Sequence, residues 1–544
     1  YKDYHRVLFL LPAKQQLVTA TETEVLFWDM KTVKLTRIFH LPAGFLAVSW
    51  QEETGTLLVS SNDRVGMITL NGKKPIYYLS TFQSGDYIVL RDDRYYLVTP
   101  EAARWLTWRS GKQFYDFDQW DIQFNRPDKI MEALDRPGSV LAQAYHQAYL
   151  KRLKKAGFSE KMFRPGLQVP SVALHYDQED GSTTDSNQVL LQVTCTNPDP
   201  LATIVAVHIT VNDVPLYGSR GFVPEKPASV LRLQLPVVLT PGQNKLKVSC
   251  VNSNGVESVR EPLTLVYQPA VPLPEKVYFV GIGINRFADS RHNLAWCVKD
   301  IRDLVTQLRS RYGNALVVDT LLDNQVTREQ VKAVTEKLLR TKVQDKVIIA
   351  YSGHGVLSRS FDYYLSAFDM DFNQPSKGGL PYELFETLLE QIPARKKLLL
   401  LDACHSGEID KDELVTIAKT NEQLRKNGLV VHRGSEEVDN GQVVTQRVGL
   451  ENSFELMQNL FVRVGRGTGA TIISAAGGVQ LAQERGEFQN GVFTFSILEA
   501  LRLFKTLTVS GLKSYVSARV VALTNGLQHP TAREELRDAD WELW

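Results

Sequence analysis

The sequence predicts a multidomain protein in which two β-rich regions precede a C-terminal α/β domain with a mostly parallel sheet. Three observations predict this. The chain has 544 residues, too many for one core, and length alone suggests roughly three or four domains. Over residues 7–116 and 171–266, short apolar runs alternate with turn residues; from Lys276 onward, strand-like runs alternate with helical periodicities. Two of those later runs, Lys346-Val347-Ile348-Ile349-Ala350 and Lys397-Leu398-Leu399-Leu400-Leu401, have the continuous aliphatic character of strands covered on both faces.

Composition narrows the function classes. Hydrophobic residues make up 43% of the chain and charged residues 23%, an ordinary globular composition. A formal net charge of +1 gives no reason to expect nucleic acid or an anionic membrane as partner. No apolar run approaches the roughly 20 residues that span a bilayer. The cysteines Cys195, Cys250, Cys297 and Cys404 show neither a CxxC pair nor zinc spacing. Cys195 and Cys250 would pair in an oxidising compartment, but two separate buried thiols are expected. The sequence opens on Tyr1 without a methionine or signal-like segment, so a fragment and a cytoplasmic location are expected.

Over residues 1–120, similar strands recur near Phe27-Trp28-Asp29, Met67-Ile68-Thr69 and Trp105-Leu106-Thr107. That period of about 40 residues is near the blade length of a WD40 propeller, with Trp28-Asp29 where the repeat keeps its Trp-Asp pair. Only two to three blades fit, and a propeller needs about four to close. The expectation is an incomplete WD40-like propeller segment that binds or restrains; a small β-domain without repeat ancestry is the plainer alternative. Residues 121–170 read as a helical linker, with Leu134, Val140, Leu141, Tyr145, Tyr149 and Leu153 at mostly helical spacing around Arg136-Pro137-Gly138. Residues 171–268 hold six or seven strand-like runs, including 189–193, 205–211 and 231–235, which indicate an immunoglobulin-like β-sandwich with a spacer or docking role. Pro269, Pro272 and Pro274 form a stiff connector to the domain at 274–544.

In that domain a first strand over 277–283 precedes a helix with Ile301, Leu304, Val305 and Leu308 on one face. A strand at Leu316-Val317-Val318 follows. Thr327 and Gln330 make a capping-box pattern before Val331, Val334 and Leu338. The run at 346–350 then delivers Tyr351-Ser352-Gly353-His354-Gly355. After a helix with Phe385, Leu388, Leu389 and Ile392, the run at 397–401 delivers Asp402-Ala403-Cys404-His405-Ser406-Gly407. A strand at 470–474 and a helix over 493–504 complete the pattern. Sites in open α/β sheets form at the carboxyl ends of strands, so His354 and Cys404 are expected to act together as base and nucleophile. An imidazole near a thiol favours the reactive thiolate. Gly353 and Gly355 flank His354, which predicts low backbone crowding around the ring.

These motifs, in this order and 50 positions apart, resemble the caspase-fold peptidases of the metacaspase or orthocaspase kind. The resemblance covers residues 276 to about 527. The whole chain is similar to prokaryotic caspase-family proteins with upstream WD40 repeats, and Asn125-Arg126-Pro127-Asp128 is similar to a linker motif in them. The resemblance implies a Cys404–His354 dyad, with the backbone N–H groups of Cys404 and of Gly355 or a neighbour stabilising the oxyanion. Animal caspases carry Gln two positions before the cysteine and recognise Asp; here that position is Asp402, and a carboxylate favours an Arg or Lys guest. Metacaspases add a carboxylate from a Cys-x-x-Asp segment, present here as Cys297-Val298-Lys299-Asp300. The implied S1 pocket is therefore Cys297, Asp300, Ser352 and Asp402. Taken singly, Asp300 reads as a solvated helix carboxylate and Asp402 as a strand-end cap.

A long charged insertion separates Cys404 from the strand at 470–474. Arg425, Lys426 and Arg433 are its expected self-cleavage positions, and a packed lid helix over 414–424 is the alternative. Gly465-Arg466-Gly467-Thr468-Gly469 lacks the Lys-Ser/Thr of a phosphate loop and reads as a loop before a strand. Gly477-Gly478 and Ala482-Gln483-Glu484 are similar to a family segment near the substrate groove. No cofactor is required. Some metacaspases are calcium-activated, and Asp369 and Asp371 are candidate ligands, with a plain turn the simpler reading. The expected function is a cysteine endopeptidase cleaving protein substrates after Arg or Lys, regulated through its β-domains and by self-cleavage. A restrained or inactive caspase-fold scaffold, and a cysteine transferase or ligase, are the alternatives.

Overall fold

The computed structural model describes residues 7–11, 15–21, 23–40, 47–51, 56–60, 65–69, 77–83, 85–134, 140–164, 168–176, 179–358, 362–403, 430–432, 468–476, 482–534 and 540–544. Contacts divide the chain into two compact units, Tyr1–Tyr149 and Leu150–Trp544.

The first unit is β-rich. Four consecutive strands, Val7–Leu11, Gln16–Ala20, Glu24–Asp29 and Lys34–His40, pair in order as an antiparallel sheet. Six more, from Ala47–Gln51 to Tyr96–Val98, form a second meander. The first sheet has the strand count of one propeller blade; the second runs to six strands without a break between blades. The 125–128 motif is a buried polar knot. The Arg126 guanidinium grips the Asp128 carboxylate at 2.9 and 2.7 Å, and His146 Nδ1 lies 3.0 Å from Asp128 Oδ2. Burial pushes the Asp128 carboxyl up, but Arg126 and His146 overcome this and hold it below the usual carboxylate range.

In the second unit, a three-stranded sheet (Ser171–His175, Gln188–Thr196, Val230–Val238) and a five-stranded sheet share one apolar core. Residues along Gln188–Thr196 alternate between exposed and buried, as the period of a half-covered strand requires. Cys195 and Cys250 are free, buried thiols. The Cys250 thiol donates to the Ser171 carbonyl at 3.5 Å, and the neighbouring Cys195 thiol together with burial pushes the Cys250 thiol far up. This β-region is docked on the α/β domain. Ser219 Oγ donates to Glu390 Oε2 at 3.2 Å, and the Arg395 guanidinium donates to the Val238 carbonyl. Lys155, at the end of the helix Val140–Ala156, pairs with Glu386 at 3.2 Å and Glu390 at 2.8 Å.

The α/β domain is built on one six-stranded sheet, and its elements are numbered from that sheet's first strand. They are β1 (Val277–Gly283), α1 (Cys297–Tyr312), β2 (Leu316–Leu322), α2 (Arg328–Glu336), β3 (Lys346–Ser352), α3 (Tyr382–Gln391), β4 (Lys396–Asp402), β5 (Thr471–Ser474), β6 (Gln483–Arg485), β7 (Asn490–Gly491), α4 (Val492–Leu503), α5 (Val509–Leu523) and β8 (Thr531–Glu534). The sheet order is β2-β1-β3-β4-β5-β8, parallel except for β8 at the edge. β6 and β7 pair as a separate hairpin.

Strand parity sorts the core into two layers. Val347, Ile349 and Tyr351 of β3, with Leu399 and Leu401 of β4, pack against α2 and α3. Ile348 and Ala350, with Leu398 and Leu400, pack against α1, α4 and α5. Thr327 caps α2, its hydroxyl accepting from the Gln330 N–H at 3.3 Å. The strand order reverses between β1 and β3, so the crevice at their carboxyl ends is where such sheets place a site.

Candidate active site

β1, β3 and β4 end level with one another: Gly283, Ser352 and Asp402 are register partners across the three strands. His354 follows two residues after Ser352 and is 3% exposed. Its backbone is held on both sides, since the Ser366 N–H donates to the His354 carbonyl at 2.9 Å and the His354 N–H donates to Ser366 Oγ at 3.2 Å. The ring sits among Phe287, at 5.3 Å between centroids, and Phe372, edge-on at 5.6 Å. Nε2 lies 2.8 Å from the carbonyl oxygen of His292. A carbonyl only accepts, so Nε2 carries the proton in the neutral ring, and Nδ1 keeps the lone pair a base requires. The His292 side chain stacks on Phe372 at 3.7 Å and 12°. Burial pushes the His292 imidazole below the usual histidine range, with Asp289 pulling the other way.

The glycine before His354 has a different reason from the expected one. A Cβ on Gly353 would stand 2.5 Å from the Tyr351 hydroxyl oxygen and 2.7 Å from Ile284 Cγ2. The turn is crowded, and only the missing side chain lets the chain pass. Gly355 opens a short strand, Gly355–Leu357, as the register partner of Leu365.

The four residues expected to line S1 are brought together, all buried. Asp300 lies in the first turn of α1 and is 0% exposed. Its Oδ2 accepts from Ser352 Oγ at 2.8 Å, and its Oδ1 accepts from Asn490 Nδ2 at 2.9 Å and the Gly491 N–H at 3.1 Å. Its solvated-helix reading is thereby excluded. Asp402 Oδ2 accepts from Thr494 Oγ1 at 2.6 Å and the Thr494 N–H at 3.2 Å. α1 comes close enough to present Asp300 because β1 has glycine beneath it; a Cβ on Gly283 would stand 2.7 Å from the Cys297 carbonyl oxygen. The Cys297 thiol points to Glu484, 3.4 Å away. Glu484, 1% exposed, also accepts from the Ala295 and Trp296 N–H groups at 3.0 and 3.1 Å, bracing the start of α1. Two helix N-termini thus hold three carboxylates, where their dipoles favour negative charge.

Cys404, the self-cleavage candidates Arg425, Lys426 and Arg433, the 414–424 segment, Gly465 to Gly467 and Gly477-Gly478 lie outside the described residues. One piece of the insertion, Val430–His432, pairs antiparallel with β6. Asp371 Oδ1 accepts from the Asn373 and Gln374 N–H groups at 3.0 and 3.2 Å, as in an Asx turn. Among the described residues, no group of three or more His, Cys, Asp or Glu side chains is arranged to hold a metal ion. Sequence reasoning missed the His292 carbonyl and the donors Asn490 and Thr494. Glu484 was flagged only as near the groove.

No protein of curated function matches the chain. Among solved structures, protein GSU0716 from Geobacter sulfurreducens is 22% identical over 47% of this chain and 92% of its own length, with a TM-score of 0.33. The family model of the caspase domain matches residues 280–539, which takes in β3, His354 and Asp402 and supports a caspase-like kind for this part of the chain.

Proposed function

We propose that the chain is a cysteine endopeptidase of the metacaspase or orthocaspase kind that cleaves after Arg or Lys. The observation that carries this is the pair of buried carboxylates, Asp300 and Asp402, gathered at the strand ends beside His354. In the proposed mechanism His354 Nδ1 takes the Cys404 thiol proton, and the thiolate attacks the carbonyl carbon of the scissile peptide. The N–H groups of Gly355 and Cys404 receive the negative charge that develops on the carbonyl oxygen. The protonated imidazole then gives its proton to the leaving amine, and water, deprotonated by His354, releases the acyl group from sulfur. A buried carboxylate pair suits a cationic P1 side chain, because a charge placed there needs a partner of opposite sign. The scheme uses no cofactor.

Upstream, the WD40-like segment and the immunoglobulin-like sandwich are read as regulatory partner-binding modules, with self-cleavage at Arg425, Lys426 or Arg433 as a second control. No described helix is long and apolar enough to cross a membrane; a cytoplasmic location is part of this proposal. One observation favours the second reading, a restrained scaffold acting through protein binding: Cys297, Asp300, Ser352 and Asp402 are each no more than 2% exposed. A fluorogenic peptide panel, run with and without calcium, tests both. The peptidase reading expects turnover after Arg or Lys that is lost in Cys404→Ala. Cleavage after Asp, or turnover unchanged in that variant, would overturn it. No turnover and no labelling by an Arg-directed covalent inhibitor would favour the scaffold.

A further inference from the structure

We propose that Asn490 and Thr494 are specificity-determining positioning residues that hold Asp300 and Asp402 at one fixed separation; this rests on the basic S1 pocket proposed above. The two carboxylates reach the site on different elements, Asp300 on α1 and Asp402 on β4. No short covalent path sets the distance between them. One five-residue stretch touches both. Asn490 Nδ2 and the Gly491 N–H donate to Asp300, and three residues on, the Thr494 N–H and hydroxyl donate to Asp402.

That stretch is rigid. It enters α4 with Gly491 as the N-cap, and Val492, Phe493 and Ile497 are each no more than 2% exposed in the core. One helical turn therefore acts as a spacer between the donors. The Asn490 amide is itself oriented: Nδ2 also donates to Asp303 Oδ2 at 3.1 Å, and Oδ1 accepts from Lys299 Nζ at 3.4 Å. The Thr494 contribution needs a hydroxyl and not a methyl, so serine should replace it and valine should not. Two oriented carboxylates address a planar, forked guanidinium more selectively than a compact ammonium. Loosening either one changes how the pocket ranks the two cations.

The test uses the full chain with Thr494→Val, Thr494→Ser and Asn490→Ala, measuring kcat and KM on matched Arg and Lys peptides alongside the thermal midpoint. Loss of a hydrogen bond to a charged acceptor predicts that Thr494→Val raises KM for the Arg peptide about tenfold. The Arg-to-Lys preference shifts with it, and kcat stays within about threefold. Thr494→Ser keeps wild-type values, and Asn490→Ala shifts KM in the same direction as valine. The positioning role is overturned if Thr494→Val keeps the wild-type KM and preference. It is also overturned if the loss appears in kcat with a lowered thermal midpoint, which would mark a merely structural residue. A wild-type enzyme that cleaves after neither Arg nor Lys overturns the pocket itself, and the positioning role with it. Normal cleavage after Arg with an indifferent valine variant overturns the positioning role alone.

Discussion

Asp300→Asn separates the electrostatic role of the carboxylate from its structural one. The substitution is isosteric. Asparagine can keep its carbonyl oxygen toward the Asn490 amide and the Gly491 N–H, while its amide nitrogen turns to Ser352 Oγ, which can accept as well as donate. Every polar contact survives, and the buried charge is removed. Two stability effects then oppose each other. Three hydrogen bonds lose their charge assistance, roughly 1 kcal/mol each; against this, the several kcal/mol cost of keeping a carboxylate out of water is relieved. The net change in stability is expected within about 2 kcal/mol. In the proposed S1 pocket, recognition of a cationic guest loses an attraction instead. At about 4 Å and an effective dielectric near 20, a guanidinium and a carboxylate attract by about 4 kcal/mol. Desolvation of the guest reduces the realised part to about 2–4 kcal/mol, which corresponds to a fall in kcat/KM of roughly 30- to 1000-fold. The assay compares kcat/KM on an Arg peptide for wild type and Asp300→Asn, with a thermal melt of each. A variant that melts like wild type and keeps kcat/KM within threefold would refute the assignment of Asp300 to the S1 pocket.

Two other expectations follow from the same geometry. Gly353→Ala places a methyl 2.5 Å from the Tyr351 hydroxyl, which itself lies 3.0 Å from the His354 carbonyl. It should cost about 1–3 kcal/mol in overpacking and abolish turnover through His354; an active variant with a wild-type melt would show that the turn has room to relax. Glu275 bridges Lys346 at 2.9 Å and Lys396 at 2.5 Å; burial pushes its carboxyl up, and the two lysines bring it below the ordinary value. A depressed carboxylate stabilises above its unfolded pKa, and that stability is lost as pH falls through the folded value. The side chain is 33% exposed, so the contribution is discounted to about 1 kcal/mol. Glu275→Gln should lower the melting temperature at pH 7 and converge on wild type as pH falls below the depressed folded value of the carboxyl; a gap that persists in acid would exclude the ion pairs as its source.

The sequence made the α/β domain legible because its signals are local. Aliphatic runs read directly as β3 and β4, and the motifs after them placed His354 and Asp402 at strand ends. What was hidden depends on contacts far apart in the chain. Asn490 meets Asp300 across 190 positions and Thr494 meets Asp402 across 92. No pattern around either residue announces such a partner. The His292 carbonyl is a backbone group, so the identity of residue 292 says nothing about its role. Gly353 was singled out correctly and for the wrong reason: a sequence shows that a side chain is missing, but not what fills the space.

The position of Asp402, two before Cys404, also has a physical basis in strand parity. Along β4, Leu399 and Leu401 face the α2 and α3 layer, while Leu398 and Leu400 face α1 and α4. Asp402 continues the second set, and Ser352 does the same on β3. Both polar groups therefore emerge beneath the N-termini of α1 and α4, where N–H groups and hydroxyls are available. Moved by one residue, the carboxylate would face the layer that holds Phe287, Phe372 and Tyr382, which offers apolar surface to an anion. The His354 ring takes that opposite side, against Phe287 and Phe372. The sheet thus keeps the imidazole and the carboxylates in separate environments a few residues apart. If His354 is the base proposed above, substitutions at Asn490 or Thr494 are expected to alter which guest is held without altering the pH dependence of kcat. A shift of that pH profile in Thr494→Val would mean that the two sides are coupled through β4.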